Sequence, residues 1–298
     1  MTLISAQALR KTYGTREVVA GVDLKVDEGE IVGVLGPNGA GKTTAVECIG
    51  GLRIPDSGSI RVAGIDPATN DPALRRVLGM QLQQCRLPAK ITAAEAIDLF
   101  GAFYPDPRPT AELLERFGLS GQAGQRFEKL SGGQQQRLSI ALALVGRPRI
   151  AILDELTTGL DPAARRDIWA YLEGLTAEGL TILLVTHSME EAQRLCDRLY
   201  ILDAGRVVAE GTPDELAAAS GVQTISFIPS APVDPAILRD LPGITAATED
   251  HGRLTVTGDA NAPQVVLAAL IARGVTAGHL RVTGPTLDDA YLRATMEA

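Results

Sequence analysis

The stretch Gly36-Pro37-Asn38-Gly39-Ala40-Gly41-Lys42-Thr43 decides the fold predicted for this chain. It follows the short apolar run 31–35 and precedes helix-forming residues that stop at the Gly50-Gly51 pair, so a strand, a loop and a helix are expected. In that context the pattern G-x-x-x-x-G-K-[ST] predicts a phosphate-binding loop. The alternative is a chance glycine turn with an exposed lysine, and the flanking strand and helix argue against it.

The chemistry of such a loop depends on its backbone and on two side chains. Glycines allow the backbone to wrap a triphosphate so that N–H groups point inward, at the positive end of the helix dipole. We expect Lys42 to reach the β- and γ-phosphates and the Thr43 hydroxyl to ligate Mg²⁺. The predicted cofactors are therefore ATP and Mg²⁺.

Two adjacent acids, Asp154 and Glu155, end the apolar run 150–153. Neighbouring residues of a strand face opposite sides, so the two acids can take different roles. We expect Asp154 to hold Mg²⁺ through water, and Glu155 to position or deprotonate the water that attacks the γ-phosphate. A solvated strand end is the alternative, but the phosphate loop upstream favours the catalytic interpretation.

The order of apolar runs predicts an α/β fold. Runs at 150–153, 181–185 and 199–202 alternate with helical stretches, as in a mostly parallel sheet covered by helices. Helical periodicity replaces strands between about residues 87 and 145, which predicts a helical insertion. The first 26 residues carry short alternating segments that suit an antiparallel edge sheet.

A small-residue run at 217–221 predicts a domain boundary, which gives a nucleotide-binding domain at 1–218 and an accessory domain at 219–298. The segments after the boundary follow the order βαββαβ plus a helix. This order predicts a small α+β domain of the ferredoxin-like type.

Composition narrows the range of partners. The 298 residues are 45% hydrophobic and carry a net charge of −8, which opposes a nucleic-acid partner because phosphate backbones are neutralised by clustered Lys and Arg. No apolar stretch approaches the roughly 18–20 residues of a membrane span. Three cysteines without a CxxC pair suggest reduced, structural thiols, and we expect a cytoplasmic chain.

The string Leu130-Ser131-Gly132-Gly133-Gln134-Gln135-Gln136-Arg137 closely resembles the LSGGQ signature of ATP-binding cassette (ABC) proteins. A helix that opens here offers unpaired N–H groups and a positive dipole to a phosphate. In the family that phosphate belongs to ATP held by the other protomer. The resemblance therefore implies a homodimer in which four residues of this segment act in trans, Ser131, Gly132, Gly133 and Gln134, together with Asp161 further along the chain.

Further marks of the family occur in the same order along the chain. Tyr13 resembles the aromatic residue that stacks on adenine, although a lone aromatic in a strand is more often part of the core. Thr44 extends the nucleotide-binding set of the phosphate loop. Gln83, beside Gln81 and Gln84, resembles the glutamine that senses Mg²⁺ and the attacking water.

Two more residues with family counterparts follow the strand that ends in Asp154 and Glu155. Asp161, in the sequence Gly-Leu-Asp-Pro, resembles the aspartate that crosses the dimer interface. His187 resembles the switch histidine that contacts the γ-phosphate, the alternative being a buried structural histidine. Leu156 departs from the family, which commonly has proline there, and this change removes no ligand.

The resemblance implies an ATP-binding and ATP-hydrolysing subunit that powers a transporter with separate integral-membrane permease subunits. It would lie peripherally on the cytoplasmic face of the membrane. The segment 285–292 resembles the closing motif of daunorubicin-resistance-type exporters. The alternatives are an importer subunit, a non-transport ABC ATPase acting on ribosomes or in DNA repair, and a regulatory module that uses ATP only as a ligand.

Overall fold

The computed structural model describes residues 1–81, 86–157 and 159–296. The chain divides into two compact units, one from Met1 to Thr212 and a second that begins at Pro213. No described helix is long and apolar enough to cross a membrane.

The first unit contains nine strands and seven helices within the described residues. The strands are β1 Thr2–Tyr13, β2 Arg16–Asp27, β3 Ile31–Leu35, β4 Ser57–Val62, β5 Leu78–Gln81, β6 Ile150–Asp154, β7 Thr181–Val185, β8 Arg198–Asp203 and β9 Arg206–Gly211. The helices are α1 Lys42–Ile49, α2 Pro72–Val77, α3 Ala93–Gly101, α4 Thr110–Arg116, α5 Gly132–Leu144, α6 Pro162–Ala177 and α7 Met189–Leu195.

Two sheets organise this unit. The six-stranded sheet has the order β5-β6-β7-β3-β8-β9, parallel except for β9, which pairs antiparallel with β8. Strands β3, β6 and β7 have five residues each, and every one of these residues is buried, as expected for parallel strands in the core. The predicted antiparallel edge sheet is confirmed, with the order β2-β1-β4.

The predicted helical insertion is confirmed as well. Between β5 and β6 the described residues form α3, α4 and α5 together with two short 3₁₀ turns. Helix α3 begins with a capping box, in which Glu95 N donates to Thr92 Oγ1 and Thr92 N donates to the Glu95 carboxylate.

The second unit contains α8 Pro213–Ser220, β10 Gln223–Pro229, α9 Pro235–Arg239, β11 Ile244–Asp250, β12 Arg253–Gly258, α10 Ala262–Ile271, β13 Ala277–Thr283 and α11 Leu287–Met296. The sheet order β11-β12-β10-β13, antiparallel throughout, is that of a ferredoxin-like module. The fold class expected from the βαββαβ pattern is therefore found here.

The division between the units lies before α8 rather than after residue 218. Helix α8 groups with the second unit because it packs against α11. Arg293 Nη1 of α11 also donates to Ala219 O of α8 at 3.3 Å. The small-residue run that suggested a boundary is thus the end of the first helix of the second unit.

Candidate functional site

The loop between β3 and α1 forms one wall of an open cleft. Gly41 caps the helix in a left-handed conformation, with φ of 95°, and a Cβ built there would lie 2.3 Å from Val18 O. Only glycine satisfies both constraints, so the loop can press against β2 while the free N–H groups at the start of α1 face the cleft. The cleft is lined by Val18, Asn38, Gly39, Gly41, Lys42, Thr43, Thr44, Asp154 and Glu155.

Lys42 is a buried cation that supports this loop from inside. Its Nζ donates to Gly36 O at 2.7 Å and to Pro37 O at 2.9 Å. Burial lowers the pKa of Lys42, and the nearby charges of Glu155 and Asp154 act in the opposite direction. The ammonium group is therefore already positioned among the loop carbonyl groups at the floor of the cleft.

Asp154 ends β6 and is only 1% exposed. Its Oδ2 accepts a hydrogen bond from Thr43 Oγ1 at 3.4 Å, and its backbone N donates to Gln81 Oε1 at 3.2 Å. Burial, followed by the charge of Glu155, raises the pKa of Asp154 to about 6. The protein thus compensates the charge of this carboxylate only in part.

This pair of oxygen ligands fits a hard divalent cation. Mg²⁺ typically takes one or two carboxylates together with phosphate oxygens and water. The described ranges contain no group of three or more His, Cys, Asp or Glu residues able to hold a metal. Thr43 and Asp154 offer a hydroxyl and a carboxylate oxygen that suit such a cation.

Glu155 and His187 meet at the rim of the cleft. The Oε1 atom of Glu155 lies 3.4 Å from Nδ1 of His187, and the side chains are 18% and 59% exposed. Glu155 N donates to Val185 O at 2.8 Å, which fixes the turn to the end of β7. A partly enclosed carboxylate beside an exposed imidazole can orient and deprotonate a water molecule.

The expectation that Asp154 and Glu155 face opposite sides is wrong, because both line the same cleft. Glu155 has left the strand conformation and adopts a φ of +51°. A non-glycine residue in the left-handed region is strained, and such strain concentrates at functional sites. The backbone turn therefore brings the two carboxylates together.

The signature segment forms a regular helix start. Ser131 is the N-cap of α5, and its Oγ accepts a hydrogen bond from Gln134 N at 3.3 Å. Gln134 Oε1 accepts in return from Ser131 N at 2.8 Å. Ser131 and Gly132 are exposed, Gly133 and Gln134 are half-buried, and none of these residues lines the described part of the cleft of its own chain. Their action in trans stays a prediction.

Gln136 makes a contact that the motif did not predict. Its Nε2 donates to Glu155 O at 3.2 Å and to Leu156 O at 3.1 Å, which ties α5 to the turn after β6. Three consecutive glutamines occur in the sequence, and nothing in the pattern distinguishes this one. The Leu156 side chain is fully buried, so the residue that replaces proline is accommodated by packing.

Asp161 and Tyr13 belong to the first unit but are not among the residues that line the described cleft. Asp161 is the N-cap of α6, where its Oδ1 accepts from Ala164 N and Ala163 N, both at 3.0 Å. These bonds, that of Ala164 first, hold the pKa of Asp161 below its usual value. In this chain the aspartate caps its own helix, and its predicted crossing of a dimer interface is not tested.

Tyr13 ends β1 and is partly exposed, with the Arg53 guanidinium 5.5 Å and the Lys11 ammonium 5.8 Å from its ring centroid. This places Tyr13 outside the core, although its stacking on adenine stays a prediction. Gln83 lies outside the described residues. Its neighbour Gln81 is buried, with the side chain directed at Asp154 N.

Substitution of Gly41 tests the loop geometry. Gly41→Ala is expected to weaken ATP binding at least about tenfold and to destabilise the chain by about 1–2 kcal/mol or more, because the added Cβ meets Val18 O in a left-handed conformation. Equilibrium dialysis and urea unfolding measure the two effects. Gly174→Ala is the matched control: it lies within α6 with no atom near its Cβ, and should stabilise by about 0.5–1 kcal/mol. Unchanged ATP affinity in Gly41→Ala would contradict the assigned loop.

The strand, glycine-rich loop, helix and acidic cleft together define a phosphate-loop nucleotide-binding protein. Residues 19–158 match the sequence profile of the ABC transporter family. A daunorubicin resistance ATP-binding protein of Streptomyces coeruleorubidus is 38% identical over 304 residues, covering 99% of this chain and 96% of that protein. The chain therefore belongs to the ABC transporter family, as one of its ATP-binding cassettes, which are ATPases.

Two further similarities support this assignment. The Nod factor export ATP-binding protein I of Rhizobium etli is 37% identical over 303 residues, covering 99% of this chain and 94% of that protein. The structure of the ATP-binding cassette MJ0796, a dimer in a post-hydrolysis state bound to ADP and Pi, aligns with a TM-score of 0.66 and 30% identity. That alignment covers 70% of this chain and 98% of the other.

Proposed function

We propose that this chain powers an exporter by binding and hydrolysing ATP beside separate membrane subunits. The observation that carries the proposal is one cleft lined by Lys42, Thr43, Asp154 and Glu155, with His187 3.4 Å from Glu155. The names of the similar proteins, which concern drug resistance and Nod factor export, favour export over import.

The cleft residues divide the reaction between them. Lys42 exchanges its bonds with the loop carbonyl groups for bonds with phosphate oxygens. Thr43 and Asp154 would hold Mg²⁺, with Gln83 as the proposed third contact, and the ion would supply positive charge to the phosphates. Glu155 orients the attacking water and accepts its proton, while His187 contacts the γ-phosphate from the rim.

We further propose that two copies pair head to tail around two ATP molecules. The exposed start of α5 has free N–H groups suited to the γ-phosphate of the partner's nucleotide. A cassette of known structure with 30% identity is dimeric with ADP and Pi, which supports the pairing of two copies. Loss of the γ-phosphate contacts after hydrolysis favours opening.

The membrane subunits would dock in a groove of the first unit, placing the chain peripherally on the cytoplasmic face of the membrane. Apolar side chains from β5, α3 and the following turn line this groove together with Arg75 and Arg76 of α2. Phe103 lies there with 75% of its surface exposed, and its ring stands edge-on to Phe100 at 6.4 Å. Exposed aromatic residues of this kind are favoured anchors for a partner helix.

Co-purification tests the docking proposal. Phe103→Arg is expected to reduce recovery of the membrane subunits by about tenfold or more, since a buried aromatic anchor contributes about 2 kcal/mol or more. The ATPase activity of the isolated chain should stay unchanged. Ile271→Arg, an equally exposed apolar position in the second unit, is the control. Undiminished recovery with Phe103→Arg would contradict the groove as the docking site.

A further inference from the structure

Helices α6 and α7 are joined by three successive side-chain pairs. Arg165 Nη1 lies 3.4 Å from Glu190 Oε2, Trp169 Nε1 donates to Glu191 Oε1 at 3.0 Å, and Arg194 Nε lies 3.2 Å from Glu173 Oε1. The three residues from α6 are spaced four apart, so they lie along one face of that helix. The pairs therefore form a ladder along the contact between the two helices.

The middle pair differs from the outer two in its burial. Glu191 is 1% exposed and Trp169 is 2% exposed, whereas the side chains of the outer pairs are 30–72% exposed. Exposed ion pairs contribute little to geometry or stability. A buried carboxylate is costly to desolvate, and removal of its hydrogen-bond donor leaves that cost uncompensated. The Trp169–Glu191 bond therefore determines how the two helices meet.

Each helix of this contact starts next to a residue for which the sequence predicts a role, Asp161 at the dimer interface and His187 at the γ-phosphate. Helix α6 is capped by Asp161, and α7 is preceded by His187 and capped by Ser188. Ser188 Oγ accepts a hydrogen bond from Glu191 N at 3.3 Å, so Glu191 belongs to the turn that follows the histidine.

A small pocket lies behind His187 and is lined by Thr157, Arg165, Thr186, His187, Ser188 and Glu191. Within the described part of the chain, the enclosed Nε of Arg165 has no hydrogen-bond partner. Glu191 therefore lines the same pocket as His187 and also contacts α6 through its bond to Trp169.

We infer that Glu191 is a positioning residue, which holds His187 in register with Asp161 through its bond to Trp169. The inference rests on the proposed function, which assigns a role to His187, and on the prediction that Asp161 crosses the dimer interface. Glu191 does not line the described part of the cleft that holds Lys42 and Asp154. It acts by fixing the helix whose first turn follows the switch histidine.

Steady-state kinetics test this role in the full-length chain with Mg²⁺ and ATP. Glu191→Leu is expected to lower kcat by about tenfold to hundredfold, since small misplacements of catalytic groups carry losses of this size, while KM for ATP changes by less than about threefold. Glu191→Gln keeps an acceptor oxygen for Trp169 and should retain most of the turnover. Glu173→Gln breaks an exposed pair between the same helices and is the matched control, with kcat within about threefold of the unaltered protein.

A spectroscopic signal adds a second readout, because Trp169 is the single tryptophan of the chain. In a Glu155→Gln background, ATP should change the Trp169 emission, Glu173→Gln should preserve that change, and Glu191→Leu should abolish it. Thermal unfolding identifies the folded fraction of each variant. An unchanged kcat and an unchanged ATP response in folded Glu191→Leu would overturn the inference. Equal losses in Glu191→Leu and Glu173→Gln would do the same.

The same preparations separate this inference from the proposed function. If Glu155→Gln and His187→Ala leave turnover unchanged, the proposed site is wrong and the inference falls with it. If both abolish turnover while Glu191→Leu does not, only the inference fails.

Discussion

Glu155→Gln is expected to hydrolyse ATP about 10²–10⁴ times more slowly than the unaltered chain while it binds ATP with similar affinity. The amide fills the same space beside His187, 3.4 Å away in the unaltered chain, but cannot accept the proton of the attacking water. Hydrolysis no longer removes the γ-phosphate, so the ATP-bound pair of chains should accumulate. Phosphate release assays measure the first effect, and light scattering with ATP and Mg²⁺ measures the second.

The control for this substitution is a carboxylate outside the cleft. Glu178→Gln removes the same charge at the end of α6 and should leave turnover unchanged. Normal hydrolysis by Glu155→Gln, without an ATP-stabilised dimer, would remove Glu155 from the role of general base.

Lys42→Ala is expected to weaken ATP binding by about two orders of magnitude or more. Hydrogen bonds between charged groups contribute about 1.5–3 kcal/mol each, and the ammonium is placed to make several with the β- and γ-phosphates. The substitution also removes the bonds that Nζ donates to Gly36 O and Pro37 O, so the loop itself should loosen. Titration with a fluorescent ATP analogue measures the affinity, and urea unfolding measures the loss of stability.

Lys25→Ala, at an exposed position of β2, is the matched control for the loss of one positive charge. It should change neither affinity nor stability by a measurable amount, since isolated surface charges contribute little. Retention of tight ATP binding by Lys42→Ala would contradict the assignment of the phosphate loop.

Short sequence patterns predicted most of the fold, because apolar runs and glycines occur where the backbone requires a buried strand or a left-handed conformation. The run 31–35 became a fully buried strand, and Gly41 stands where only a left-handed residue without Cβ can cap α1. The order of short segments after the boundary was sufficient to predict the ferredoxin-like sheet, since alternating polarity determines which face of each strand is buried. Strand β5 was not predicted, because its four residues give too short a pattern.

The geometry of the site was harder to predict because it depends on contacts between distant segments. The strand pattern placed Glu155 opposite Asp154, whereas a positive φ brings both into one cleft. Gln136 and Glu191 have no sequence signal of their own: the first is one of three adjacent glutamines and the second one of two adjacent glutamates. Their partners, Glu155 O and Trp169 Nε1, are identified only by the tertiary structure.

The double hydrogen bond from Gln136 has a consequence for cooperation between the two active sites of a pair. In the proposed head-to-tail pair, α5 would present Ser131 to the nucleotide of the opposite subunit, and Gln136 of the same helix bonds to the carbonyl group of Glu155 in its own subunit. On that proposal, a displacement of α5 when the neighbouring phosphate departs would be transmitted to Glu155, the proposed general base, at the other site. The two ATP molecules would then be consumed in alternation or in concert, but not independently.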